Sequence, residues 1–97
     1  MKSVFIAYDQ AHHEAILEIL GHLNCRGFTY LGTVQGRGSV KGEPHYGTHA
    51  WPSLGSAMIT IVADDRIKPL LQRLRALDEE NPRLGLRAFV WNVEESI

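Results

Sequence analysis

Apolar positions follow two rhythms along this chain. Ser3 to Tyr8, SVFIAY, is rich in β-branched and aromatic types and predicts a buried strand. Asp9 follows as a helix N-cap, because its carboxylate can accept from the free N–H groups of a first turn. Ile16, Ile19, Leu20 and Leu23 then recur at helical spacing and predict a helix from Ala11 to Leu23, with Gly27 marking the reversal after it. Phe28 to Gln35, FTYLGTVQ, reads as a second strand in which Gly32 signals a bulge or a close approach. Ala57 to Val62, AMITIV, is a third strand. Asp64 and Asp65 offer caps for a second helix whose apolar face is Ile67, Leu70, Leu71, Leu74 and Leu77. Pro69 falls in or near its first turn, where a missing N–H costs little, and Asn81 with Pro82 stops it. Leu86 to Val93, LRAFVWNV, is the fourth strand.

The order βαββαβ predicts an α+β, ferredoxin-like domain over residues 1–97: a four-stranded antiparallel sheet with both helices on one face. The other face must be polar, covered, or buried in an oligomer, and strands this rich in Val, Phe, Ile and Trp favour cover. Between strands two and three, Gly36 to Gly55 holds five of the nine glycines and two of the four prolines, and so reads as irregular. A connection of about 20 residues without regular structure is unusual in a small domain and is most often functional.

Composition narrows the function. A formal net charge of −1 offers no basic excess for nucleic acid. One cysteine, Cys25, excludes a disulfide within the chain and reads as a small buried apolar residue. No run approaches the ~20 apolar residues of a membrane span, and the start lacks a signal-peptide core, so a soluble cytoplasmic protein is expected. No nucleophile–base pair, paired catalytic carboxylates or cofactor motif stands out, and a non-enzymatic role is expected.

Four segments in order resemble the PII signalling proteins (nitrogen regulatory protein P-II), of the superfamily that also contains the CutA proteins. VQGRGSVKG, Val34 to Gly42, resembles the base of their T-loop, and GFTYLGTV before it their second strand. IVADD, Ile61 to Asp65, resembles the third strand and helix start, and RAFVWNVEE, Arg87 to Glu95, the last strand. The resemblance implies a homotrimer with its sheets facing inward. It implies a regulator that binds a small effector in clefts between subunits and signals to a protein partner through the long loop. A membrane transporter is one such partner, with no membrane insertion by the chain itself. Typical PII proteins cradle nucleotide phosphates in a glycine-rich loop before the last strand. Here that region is DEENPRLGLR, Asp78 to Arg87, where Gly85 is the one glycine and Arg87 falls near the family's phosphate-contacting lysine. Ser39 and Val40 do not match the family's 2-oxoglutarate and magnesium site, the loop is shorter, and Tyr46 does not carry over as a modification site. The chain reads as a divergent branch with its own ligand.

Two sets of site candidates follow. Gly36, Arg37 and Gly38, with Arg87, are expected to hold the effector, an anion or an adenine nucleotide. Glycines let backbone N–H groups approach an anion, and a guanidinium grips phosphate or carboxylate through two N–H donors. Without that context, GRG is a turn with an exposed arginine. Glu43, His45 and His49 in GEPHYGTHAW are the alternative, CutA-like reading: ligands for a divalent metal, zinc, copper or nickel. Read more plainly, both histidines hydrogen-bond within an ordered loop. Trp51 with Pro52 caps a cleft or anchors the loop, and Trp91 belongs to an interface or the core. His12, in step with Ile16 and Leu20, is expected to be partly buried. His13 and His22 are expected to face solvent, and Asp78, Glu79 and Glu80 to form a solvated helix end.

Overall fold

The computed structural model describes residues 1–25, 27–34 and 55–97. Strand β1 spans Lys2–Asp9, helix α1 His13–His22, β2 Phe28–Val34, β3 Gly55–Val62, helix α2 Ile67–Glu80 and β4 Arg87–Asn92. The strands form one antiparallel sheet in the order β2-β3-β1-β4, the expected ferredoxin-like topology. The β3 strand starts at Gly55, two residues before the sequence suggests, because Gly55 and Ser56 complete the ladder with Asp9 and Tyr8.

Alternation along the strands builds the core. Val4, Ile6 and Tyr8 of β1 and Met58, Thr60 and Val62 of β3 are buried together, and Ala88 and Val90 of β4 pack against them. Ile16 and Leu20 of α1 and Leu70, Leu74 and Leu77 of α2 close this face. Each such aliphatic side chain withdrawn from water contributes about 1.5–3 kcal/mol. The buried Thr60 Oγ1 is satisfied by donating to the Gly27 carbonyl at 2.6 Å.

Local signals explain the element ends. Asp9 caps as expected: its Oδ1 accepts from the Ala11 N–H at 2.8 Å. A short 3-10 turn, Gln10–His12, intervenes before α1 proper begins at His13. The reversal after α1 falls at Asn24 and not at Gly27. Asn24 has φ +59, the Asn24 N–H reaches the Gly21 carbonyl and the Cys25 N–H the Leu20 carbonyl, which is a Schellman cap. Buried Cys25 and Leu20 supply its apolar contact. Gly32, with φ +79, marks the expected bulge, where the β2–β3 register shifts between Tyr30 and Gly32. The expected Asp64 and Asp65 caps are corrected. Ala63 occupies the cap position of the turn before α2 and no side chain bonds to it. Asp64 instead pairs with the Met1 ammonium at 2.7 Å, and that hydrogen bond, then the ammonium's charge, lowers its pKa.

The second face of the sheet has a different character. Rows across it read Ile61–Ser3–Trp91 and Ile59–Phe5–Phe89. Ile61, Phe89 and Trp91 are 46%, 57% and 49% exposed, so Trp91 is no part of this chain's core.

Candidate functional site

Of the candidate effector residues the structure describes Arg87, which lies at the same end of the sheet as Val34 and Gly55. Asp9 pairs with Gly55, Val34 with Gly55, and Ala7 with Arg87. The end of β2, the start of β3 and the start of β4 therefore share an edge. Gly36, Arg37 and Gly38 follow two to four residues after Val34, and they lie outside the described residues. The last row at this end that crosses all four strands is Gly32, Ala57, Ala7 and Arg87. Its first three members are small, and a Cβ on Gly32 would meet nothing within 4 Å. Large neighbours in the next row, Ile59, Phe5 and Phe89, leave a step in the surface beside Arg87.

Arg87 is half-buried, and its Nη1 donates to the Leu86 carbonyl at 2.8 Å. It lines a cleft of about 240 Å³ between α2 and β4, floored by Leu71, Leu74, Leu86 and Ala88 and rimmed also by Arg75 and Asp78. Asp78 corrects the expectation of a wholly solvated acidic helix end. Its Oδ1 accepts from the Leu86 N–H at 3.2 Å and ties α2 to the turn before β4, while Glu79 and Glu80 are exposed as expected. Gly85, at φ +74, turns the chain between them. Among the described residues Arg87 forms no ion pair, so its charge is available to an anion.

A second group lies at the same end on the helix-covered side, and it corrects the expectation for His13. His13 is half-buried and its ring lies between two tyrosines. Its centroid is 5.9 Å from Tyr8, nearly parallel, and 4.8 Å from Tyr30, tilted. Tyr8 Oη is 2.8 Å from His13 Nδ1. Burial first, then the nearby Tyr30, pushes the Tyr8 phenol up to about 12, so it keeps its proton at neutral pH. Tyr30 Oη donates to Gln10 Oε1 at 3.1 Å and lies 3.3 Å from Ser56 Oγ, and Ser56 Oγ also donates to Gln10 Oε1. No spacing in the sequence announces this network. Its members come from β1, the turn before α1, α1, β2 and β3.

Other histidines and the cysteine match expectation. His12 is buried, His22 exposed, and Cys25 buried with its thiol pushed up chiefly by that burial. The metal candidates Glu43, His45 and His49, with Trp51 and Pro52, lie outside the described residues. Among the described residues no three His, Cys, Asp or Glu side chains could hold a metal ion. No described helix is long and apolar enough to cross a membrane.

This architecture is the fold of the PII-like signalling proteins. The nitrogen regulatory PII-like protein CPII of Thiomonas intermedia K12, solved with ADP, AMP and bicarbonate, is similar at a TM-score of 0.79 and 22% identity, over 95% of this chain and 84% of that one. Its apo form matches at 0.72 and 20%, over 95% and 87%. A PII-like signalling protein of Thermus thermophilus matches at 0.66 and 25%, over 95% and 85%. No family model matches the sequence, and no curated protein matches it either.

Proposed function

We propose that this chain is a PII-like regulator and not an enzyme. It would bind an adenine nucleotide, with or without a small oxyanion such as bicarbonate, at clefts between the subunits of a homotrimer. It would pass occupancy to a protein partner through residues 36–55. The observation that carries this reading is the position of Arg87. In a fold shared with a protein solved with ADP and bicarbonate, it stands half-buried at the end of the sheet from which the Gly36–Arg37–Gly38 segment departs. The step formed by Gly32, Ala57 and Ala7 supplies room beside it. The apolar rows holding Ile59, Ile61, Phe89 and Trp91 supply a surface for subunit contact.

Binding would shift the loop between conformations only to the extent that the ligand prefers one of them. The test is calorimetric titration of ADP, with and without bicarbonate, into wild type, Arg37→Ala and Arg87→Ala. A charge-assisted contact to phosphate contributes about 1.5–3 kcal/mol, so each variant should bind roughly 10- to 150-fold more weakly. Unchanged affinity in both removes the site. Native mass spectrometry reads the assembly in the same samples. A trimer that takes up zinc but no nucleotide, and loses zinc in a combined His45→Ala and His49→Ala variant, would transfer the role to Glu43, His45 and His49.

A further inference from the structure

We propose that the side-chain network of Tyr8, Gln10, His13, Tyr30 and Ser56 is a latch that joins the surface turn opening α1 to the ends of β2 and β3, the strand ends that residues 35–54 connect. Its place in signalling rests on the reading above, but the latch itself does not.

Backbone pairing leaves the end of β2 weakly specified. The β2 strand is an edge strand, paired with β3 alone, and its register slips at the bulge between Tyr30 and Gly32. Beyond the bulge, only Gly32, Thr33 and Val34 pair with Ala57, Ser56 and Gly55. The side chains supply the missing restraint. Tyr30 from β2 and Ser56 from β3 both direct their hydroxyl protons to one acceptor, Gln10 Oε1, in the turn after β1. One amide oxygen thus clamps two strands to the turn that leads into α1.

His13 makes the clamp act as a unit. Tyr8 is 3% exposed, and a hydroxyl so buried needs a hydrogen-bond partner, which His13 Nδ1, 2.8 Å away, provides. The same imidazole packs against Tyr30. Swinging His13 outward would strip Tyr8 of that partner and Tyr30 of that ring in one movement. Two alternatives that exchange several contacts at once form a two-state element. The network also reaches the surface, since Gln10 and Tyr30 are exposed. A contact made at the α1 turn and a change at the strand ends would therefore bias one another, and by linkage the bias is equal in both directions.

Hydrogen exchange of the whole chain, read by mass spectrometry in the absence of ligand, tests the latch. His13→Ala and Gln10→Ala alter only the α1 side. Losing one or two net hydrogen bonds should speed exchange of amides 32–34 and 55–57 by about tenfold. Mid-sheet amides such as Ile6 and Met58 should keep their wild-type rates. His13→Gln, whose side-chain carbonyl can accept from Tyr8, should restore most of the protection. Unchanged strand ends in both variants, or a uniform rise across the sheet, would overturn the latch. An ADP titration of the same proteins separates the two ideas. Strand-end coupling without ADP binding defeats the nucleotide reading and leaves the latch, whereas ADP binding with unmoved strand ends defeats the latch and leaves the reading.

Discussion

The two faces of the sheet are built from the same strands and obey opposite rules. On the helix-covered face, Val4, Ile6, Met58 and Val62 meet Ile16, Leu20, Leu70 and Leu74, and the chain closes that surface by itself. On the other face, Phe89 and Trp91 are half exposed although they alternate along β4 with the partly buried Ala88 and Val90. Along β4, large aromatics stand on the face that the described helices leave open, and smaller residues stand on the face where those helices pack. Self-closure by the described elements is thus concentrated on one face, and the other keeps Ile61, Phe89 and Trp91 about half exposed.

The largest expected effect comes from breaking the closed face. Ile6 lies in the central strand with no exposed surface. Ile6→Ala should lower unfolding free energy by about 2–5 kcal/mol, the range for large-to-small changes in a packed core. Urea denaturation measures it. A loss well under 1 kcal/mol would mean that this face is loosely packed and that the contrast between faces is false.

Helical periodicity made half of this contrast legible, because IKPLLQRLRAL selects a buried side without reference to distant residues; AMITIV announces a strand but not its buried face, since its one polar residue, Thr60, is buried and Ile61 is exposed. Capping by Asp9 and the bulge at Gly32 were legible for the same reason: both are decided within a few residues. What failed depends on register or on distant groups. His13 reads as a solvent-facing residue of a first turn until the sheet brings Tyr8 and Tyr30 to it. Asp64 reads as a cap until the antiparallel β1–β3 pairing brings the start of the chain beside it. Asn24 takes the left-handed position expected of Gly27, because its short polar side chain tolerates that conformation. Of the candidate site, only Arg87 could be set in the fold. Its expected partners, Gly36, Arg37 and Gly38, rest on the family resemblance and lie outside the described residues.

A middle-sized effect should appear at the border of the two regions, where the helix-covered face meets the loop end. The Tyr8 phenol is raised from 10.0 to about 12 by burial and then by Tyr30. A raised pKa means that the folded state favours the protonated form. That contribution is fully present below pH 10 and is lost as pH rises through 12, because the unfolded chain gives up this proton first. Stability should therefore fall across that window in wild type and fall less steeply in Tyr8→Phe. At neutral pH the same variant should cost about 0.5–1.5 kcal/mol for the hydrogen bond to His13. Denaturation midpoints at pH 7, 10 and 11.5 would show both, and parallel curves for the two proteins would dissociate Tyr8 from the alkaline limb.

The smallest effect on folding, and the one that sharpens the comparison most, belongs to the open face. Phe89→Ser with Trp91→Ser removes two large apolar side chains that stay about half exposed when one chain folds. Measured on dilute, monomeric protein, the change in unfolding free energy should stay within about 0.5 kcal/mol, as for surface substitutions that touch no special feature. At higher concentration the outcome should separate. Wild type would sediment as an oligomer and gain stability by mass action, while the double variant would stay monomeric with a concentration-independent midpoint. A double variant that loses several kcal/mol as a monomer would show that these side chains serve the chain's own fold. One that still assembles would move the subunit contact to another surface, and with it the argument that ligands sit between subunits.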